Sequence, residues 1–191
     1  MKSGQKILIG IVIVVLVLGM WFFSTKNSLV ALNEDVKLQY SQIETTLQRR
    51  CELIPSLVET VKGYAKHEEK IFTEIAEARS NLLSSIESGN LENIDSASKS
   101  FDSAVTKLLA ISENYPELEA SALFISLQDE LAGTANRINV ARQHYNEKVN
   151  SYNRAVQSFP TSIVASMSGY YPMDYFEADS GAHKVPEVNF D

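Results

Sequence analysis

The sequence predicts an all-α protein: an N-terminal transmembrane helix followed by an antiparallel, up-and-down four-helix bundle. Three observations carry that reading. Only 8 glycines and 5 prolines interrupt 191 residues, which leaves long windows free of helix breakers. Apolar residues recur at alternating steps of three and four, the spacing of a helix face and not of a strand. The first 23 residues carry an apolar run that no later segment matches. An apolar share of 45% is enough for one core plus an appendage.

Residues 1–6, MKSGQK, form a basic stub containing Lys2 and Lys6. Seventeen residues without a charge follow, from Ile7 to Phe23. At about 1.5 Å per residue they reach roughly 26 Å, slightly less than a ~30 Å hydrocarbon layer. Lys6 can snorkel at one end, while Trp21, with Phe22 and Phe23, suits the interface at the other. The stretch after the run, MWFFSTKNS, has no A-x-A-like cleavage site, so residues 7–23 read as an uncleaved signal anchor with a single span. Lys2, Lys6 and the α-amine precede the span, against Lys26 and the more distant Lys37 after it, which predicts a bundle on the exported side. Setting Lys2 and Lys6 aside leaves fifteen basic residues against 24 acidic ones. Such a surface repels nucleic acid and anionic lipid, so no nucleic-acid partner is expected and the domain should stand off the membrane.

Residues 24–160 supply the four expected helices. The first, about 24–52, has Leu29, Leu32, Val36, Tyr40, Ile43 and Leu47 on its seam. Pro55 then interrupts, because proline cannot donate to the carbonyl four residues back. It suits the first turn of a new helix, which predicts a corner at Arg50, Leu53, Ile54 and Pro55 and a second helix over about 55–88. The cations Arg49 and Arg50 would then sit at a helix C-terminus, as the macrodipole favours. Gly89 is the expected C-cap of the second helix. The third, about 91–112, turns Ile94, Phe101, Val105 and Leu108 inward. The fourth, about 116–159, opens at Pro116 and runs an inward stripe from Phe124 through Tyr145 and Tyr152 to Phe159, with Pro160 as its stop. Residues 161–191 lack helical period and read as a tail.

Little in this chain points to catalysis. Cys51 is the sole cysteine, so no intrachain disulfide can form. The residues three before His67, His144 and His183 are Tyr64, Ala141 and Ser180, so the Glu-x-x-His pattern of a di-metal bundle is absent. No phosphate loop, dinucleotide fingerprint or nucleophile elbow occurs. No cofactor, metal or catalytic residue is expected, and the chain reads as a non-enzyme. Glu68, Arg79, Arg137 and Arg142, near the stripes, are expected to set helix register through partly buried pairs.

Three stretches nevertheless form a recognisable set. LQRRCELIPSLVETVKGYAKHEE resembles the signature of the LemA family of bacterial membrane proteins. YPELEASALFISLQDELAGTANRINVARQHYNEKVNSYNRAVQSFP resembles the family's second block, and YYPMDYFEA its third. The matching positions include Arg50, Leu53, Ile54, Pro55, Leu57 and Val58, then Tyr115, Pro116, Arg137, Arg142, Tyr145, Asn146, Tyr152, Asn153 and Pro160. Lys26, Tyr40 and Ala135 depart from the usual Tyr, Trp and Glu. The resemblance implies one membrane helix, an up-and-down bundle and no established catalytic residue. It also implies a short N-terminus outside the cell, opposite to the charge count.

The expected function is that of a membrane-anchored scaffold or assembly component of the bacterial cell envelope, acting through protein contacts. Its expected partners are other membrane or envelope proteins or a second copy of the chain. The alternative is the sensory or ligand-binding bundle of a receptor. Tyr170, Tyr171, Tyr175 and Phe176 crowd seven positions of the tail, either covering a groove of their own bundle or forming a contact surface.

Overall fold

The structure, a computed structural model, describes residues 3–177. Met1, Lys2 and the end of the expected tail from residue 178 onward, with His183, lie outside the described residues. Helix α1 runs over Ser3–Tyr64, α2 over Glu69–Ser88 and α3 over Leu91–Ala110. A 3-10 turn at Ile111–Asn114 and the single-turn α4 at Pro116–Glu119 lead into α5, Ala122–Gln157, and α6 follows at Thr161–Ser168. No strand occurs among the described residues, and the all-α class holds.

The corner expected at Pro55 does not form. Helix α1 passes through Pro55 without a break. A proline inside a helix removes the hydrogen bond to residue i−4 and crowds that carbonyl, at a cost of about 3 kcal/mol. Here the deprived carbonyl belongs to Cys51, and Arg79 of α2 donates its Nε–H to that oxygen at 3.0 Å. The missing intrahelical donor is replaced from a neighbouring helix, while the proline ring itself is exposed. Arg50, Leu53 and Ile54 are buried within this continuous helix.

The reversal comes ten residues later, at residues 65–68. The amide of Ala65 still bonds the Val61 carbonyl at 2.8 Å, and the Glu68 carbonyl accepts from Ile71 and Phe72 to start α2. Lys62 lies in the last turn of α1 and Glu69 in the first turn of α2, each where the helix dipole favours its charge. Lys62 Nζ also stands 5.1 Å from the centre of the Phe72 ring across this turn. Tyr64 is exposed, and the buried Ala65 and Phe72 fill the turn.

Two compact units divide the chain, and α1 and α5 each contribute to both. One unit comprises Cys51–Leu131 together with the segment from Asp174. It contains the end of α1, all of α2, α3 and α4, and the start of α5. Gly89, at φ +66°, ends α2 as expected, in a left-handed conformation that side chains with a Cβ adopt only with strain. Asn90 then caps α3 by accepting from the Asn93 amide at 3.0 Å. Lys107 meets Glu74 at 2.9 Å across the antiparallel α2–α3 pair. Pro116 opens only one turn of helix, and α5 begins afresh beyond Ser121.

The other unit comprises the chain up to Arg50 and Ala132–Met173. Its α1 and α5 portions run antiparallel: Lys148 reaches Asp35 at 2.9 Å, and the Tyr40 and Tyr145 rings lie 6.1 Å apart. Leu29, Val36, Ile43 and Leu47 are buried from α1, facing Ile138, Tyr145, Val149 and Tyr152 from α5. Thr134, which the apolar pattern skipped, fills the buried position between Leu131 and Ile138.

Where a tail without helical period was expected, α6 forms. Val164 and Ala165 are its buried residues, and Gly169 at φ +76° closes it. The amide of Tyr170 bonds back to the Ala165 carbonyl at 3.0 Å, the wide loop of a Schellman motif. Phe159 is not the last core residue of α5 but an exposed side chain past the helix end.

Beyond α6 the chain is tied down by one side chain. Asn153, buried on α5, donates its Nδ2 to the Met173 carbonyl and accepts the Met173 amide at Oδ1, both at 2.8 Å. An amide side chain satisfies both polar groups of one backbone residue, which neither Asp nor an apolar isostere can do. Asn153→Leu should therefore lower stability by about 2–4 kcal/mol, two lost hydrogen bonds plus backbone groups left unpaired. Chymotryptic cleavage at Tyr170 and Tyr175 should accelerate in the same variant. Unchanged stability and cleavage would show that the tail is held by other contacts.

Candidate functional site

The N-terminal part of α1 is the first functional element. From Ile7 to Phe23 nearly every side chain is exposed, and no residue of the most apolar window is buried. The helix is long and apolar enough to cross a membrane. Lys6 and Trp21 stand at the two ends of the run, with Phe22 and Phe23 in an edge-to-face pair 5.8 Å apart.

A second element lies in the unit built on the α1–α5 pair. An open groove of about 660 Å³ runs along these two helices. Leu38, Ser41, Gln42, Thr45 and Thr46 line it from α1, and Asn136, Arg137, Val140, Ala141 and His144 from α5. Leu38 and Val140 are apolar residues that sit beside the buried stripes, 57% and 50% exposed. The Arg137 guanidinium lies over Gly133, where a β-carbon would stand 3.4 Å from it, in ordinary van der Waals contact. His144 Nδ1 stands 3.4 Å from Glu147 on the solvent edge.

Three titratable groups of this unit are shifted chiefly by burial. Burial raises the pKa of the Tyr40 phenol, with a smaller contribution from the Glu44 carboxylate. Burial alone raises that of Glu44. Tyr152 is likewise raised by burial and then by Tyr170. No group of three or more His, Cys, Asp or Glu able to hold a metal occurs among the described residues. Cys51 is a free cysteine and is buried, without the access that a reactive thiol needs.

The residues singled out from the sequence are distributed over both units. Arg50, Leu53 and Ile54 are buried helix residues, and Arg79 serves a backbone carbonyl. In the tail, Phe176 is buried and Tyr170 half-buried, while Tyr171 and Tyr175 are exposed. Leu38 and Val140 went unmarked in the sequence because they fall off the heptad stripes, and that position is the only signal they carry.

Comparison with known proteins follows from these features. "Magnetosome protein MamQ" of Magnetospirillum gryphiswaldense is 26% identical over 173 residues, covering 78% of this chain and 64% of the relative. "Magnetosome protein MamQ 2" of Paramagnetospirillum magneticum is 24% identical over 176 residues, with 79% and 64% covered. "Protein LemA" of Metamycoplasma hominis is 26% identical over 179 residues, covering 92% of this chain and 81% of the relative. The chain thus spans about 64% of the length of the magnetosome relatives. The family model described as the LemA family matches residues 39–190, from the middle of α1 through the tail, and on that match the chain belongs to the LemA family.

Proposed function

We propose that this protein is a non-enzymatic scaffold of the cell envelope, held in the membrane by residues 7–23 and recruiting a partner helix to the α1–α5 groove. The observation that carries the reading is the exposure of Leu38 and Val140 beside an open groove between two long helices. Amphipathic helices dock into apolar grooves of this kind through anchors at helical spacing. Two relatives bear a name that denotes a cellular structure and not a reaction, which supports an assembly role. The bundle lies on the exported side in this reading, from the balance of Lys2 and Lys6 against Lys26. Its partner is another envelope protein or a second copy of the chain.

A receptor-type reading has one observation in its favour. The groove has the volume of a small-molecule site, with Arg137 and His144 at its edge. Mass spectrometry of the purified, denatured chain would decide for it by releasing a stoichiometric small molecule.

Two experiments test the scaffold. A benzophenone amino acid at Val140, irradiated in intact cells, should give a discrete higher-mass adduct, whereas the same group at the exposed Glu147 should not. Equal yields at both positions, or none at Val140, would contradict docking in the groove. For orientation, protease added to intact spheroplasts should digest the domain from outside; digestion only after lysis would place it in the cytoplasm.

A further inference from the structure

The α5–α6 turn presents an apolar surface that the core does not use. Phe159 is 82% exposed and Ile163, four residues on, 50%. On α6 itself Val164 and Ala165 take the buried face. The register of the α1–α5 pair fixes where this turn lies. Lys148 meets Asp35 at 2.9 Å, α1 continues unbroken towards the span, and α5 runs the same way to its last residue, Gln157. Nine residues separate Lys148 from Gln157, and nine separate Asp35 from Lys26, about 14 Å in either helix. Gln157 therefore stands level with Lys26, three residues past the end of the apolar run, and Phe159 follows in the turn beyond the helix end. The chain then climbs back along the unit, since Met173 is held at 2.8 Å by Asn153, six residues before Phe159.

Charge at this end also differs from the rest of the molecule. The protein carries a formal net charge of −7, yet residues 24–33 and 148–173 contain no aspartate or glutamate. Lys26 and Arg154 are exposed there. The acidic excess that predicted a domain standing off the membrane is carried elsewhere in the chain. An exposed aromatic and an exposed aliphatic residue beside two cations match the chemistry of an interfacial contact with anionic lipid.

We infer that the α5–α6 turn seats in the headgroup layer of the bilayer that α1 crosses, with Phe159 and Ile163 as its apolar contacts and Lys26 and Arg154 facing anionic phospholipid. The headgroup layer is about 5–7 Å deep on each side, enough to take in Phe159 and the first turn of α6. Two contacts with one bilayer fix the tilt and rotation of the α1–α5 pair, which a single span leaves free. The inference rests on the reading of residues 7–23 as the span.

Tryptophan quenching by brominated lipid separates the two. The full chain is reconstituted into phosphatidylglycerol–phosphatidylcholine vesicles whose acyl chains are brominated near the headgroup. Three chains are compared: the natural one, with Trp21 as its sole tryptophan, and Phe159→Trp and Val140→Trp, each in a Trp21→Phe background. Position 140 is seventeen residues from Gln157, the end of α5, about 26 Å. Both host positions are exposed, so neither substitution disturbs the core. Emission should be lost in the natural chain and in Phe159→Trp but retained in Val140→Trp. Removing phosphatidylglycerol should restore emission in Phe159→Trp only. Quenching of Trp21 without quenching of Phe159→Trp would overturn the inference and leave the span intact; blue-shifted emission in that case would assign the turn to a protein contact. Quenching of Val140→Trp as well would mean that the whole unit lies on lipid, contrary to a contact confined to the turn. Equal quenching without anionic lipid would remove Lys26 and Arg154 from the contact. An unquenched Trp21 would remove the span and the inference together.

Discussion

Helix α1 depends on one hydrogen bond from outside itself, the donation from Arg79 Nε to the Cys51 carbonyl. Pro55 strips that carbonyl of its natural partner, in a part of the helix where Cys51, Ile54 and Leu57 are buried and water cannot substitute. A buried unpaired carbonyl would cost enough to end the helix there. With Arg79 in place the helix carries on to Tyr64, and the reversal into α2 moves to residues 65–68. Arginine suits this task because its charged, planar Nε–H can reach sideways from the next helix while its stem packs along it. The bond also fixes the register of α2 against α1, so one contact settles both a helix length and a helix pairing.

Two polar side chains of the interior complete backbone hydrogen bonding. Arg79 supplies a donor to Cys51, and Asn153 supplies a donor and an acceptor to Met173. Each joins two stretches distant in sequence: the first family block to α2, the second block to the third. That division of labour accounts for polar residues on apolar stripes without any reacting group. The exposed apolar residues are then the more informative ones for function. Leu38 and Val140 border the groove, and Phe159 is exposed in the turn after α5.

Much of the fold was legible because burial imposes a period. The stripes through Leu29, Val36 and Ile43, and from Phe124 to Val156, are buried as their spacing required. Gly89 announced its turn through local chemistry alone. Pro55 was misread because the residue that rescues it lies 24 positions away, beyond the reach of any local rule. The turn at residues 65–68 has no proline, and its signal was the charge pair Lys62 and Glu69 flanking a polar run. Helix α6 was missed because two buried residues in eight make no period, although Pro160 before it and Gly169 after it are its boundary marks. The groove was invisible for the same reason: Leu38 and Val140 lie outside the stripes that periodicity reports.

A double-mutant cycle between Pro55 and Arg79 tests the account most directly. Arg79→Met in the natural background should cost about 1.5–3 kcal/mol of unfolding free energy, the range for a hydrogen bond to a charged donor. In a Pro55→Ala background the restored amide satisfies the Cys51 carbonyl, and the same substitution should cost far less, giving a coupling of about 1–2 kcal/mol. Additive costs would contradict the account, since Arg79 would then act through packing alone and the continuity of α1 through Pro55 would need another cause.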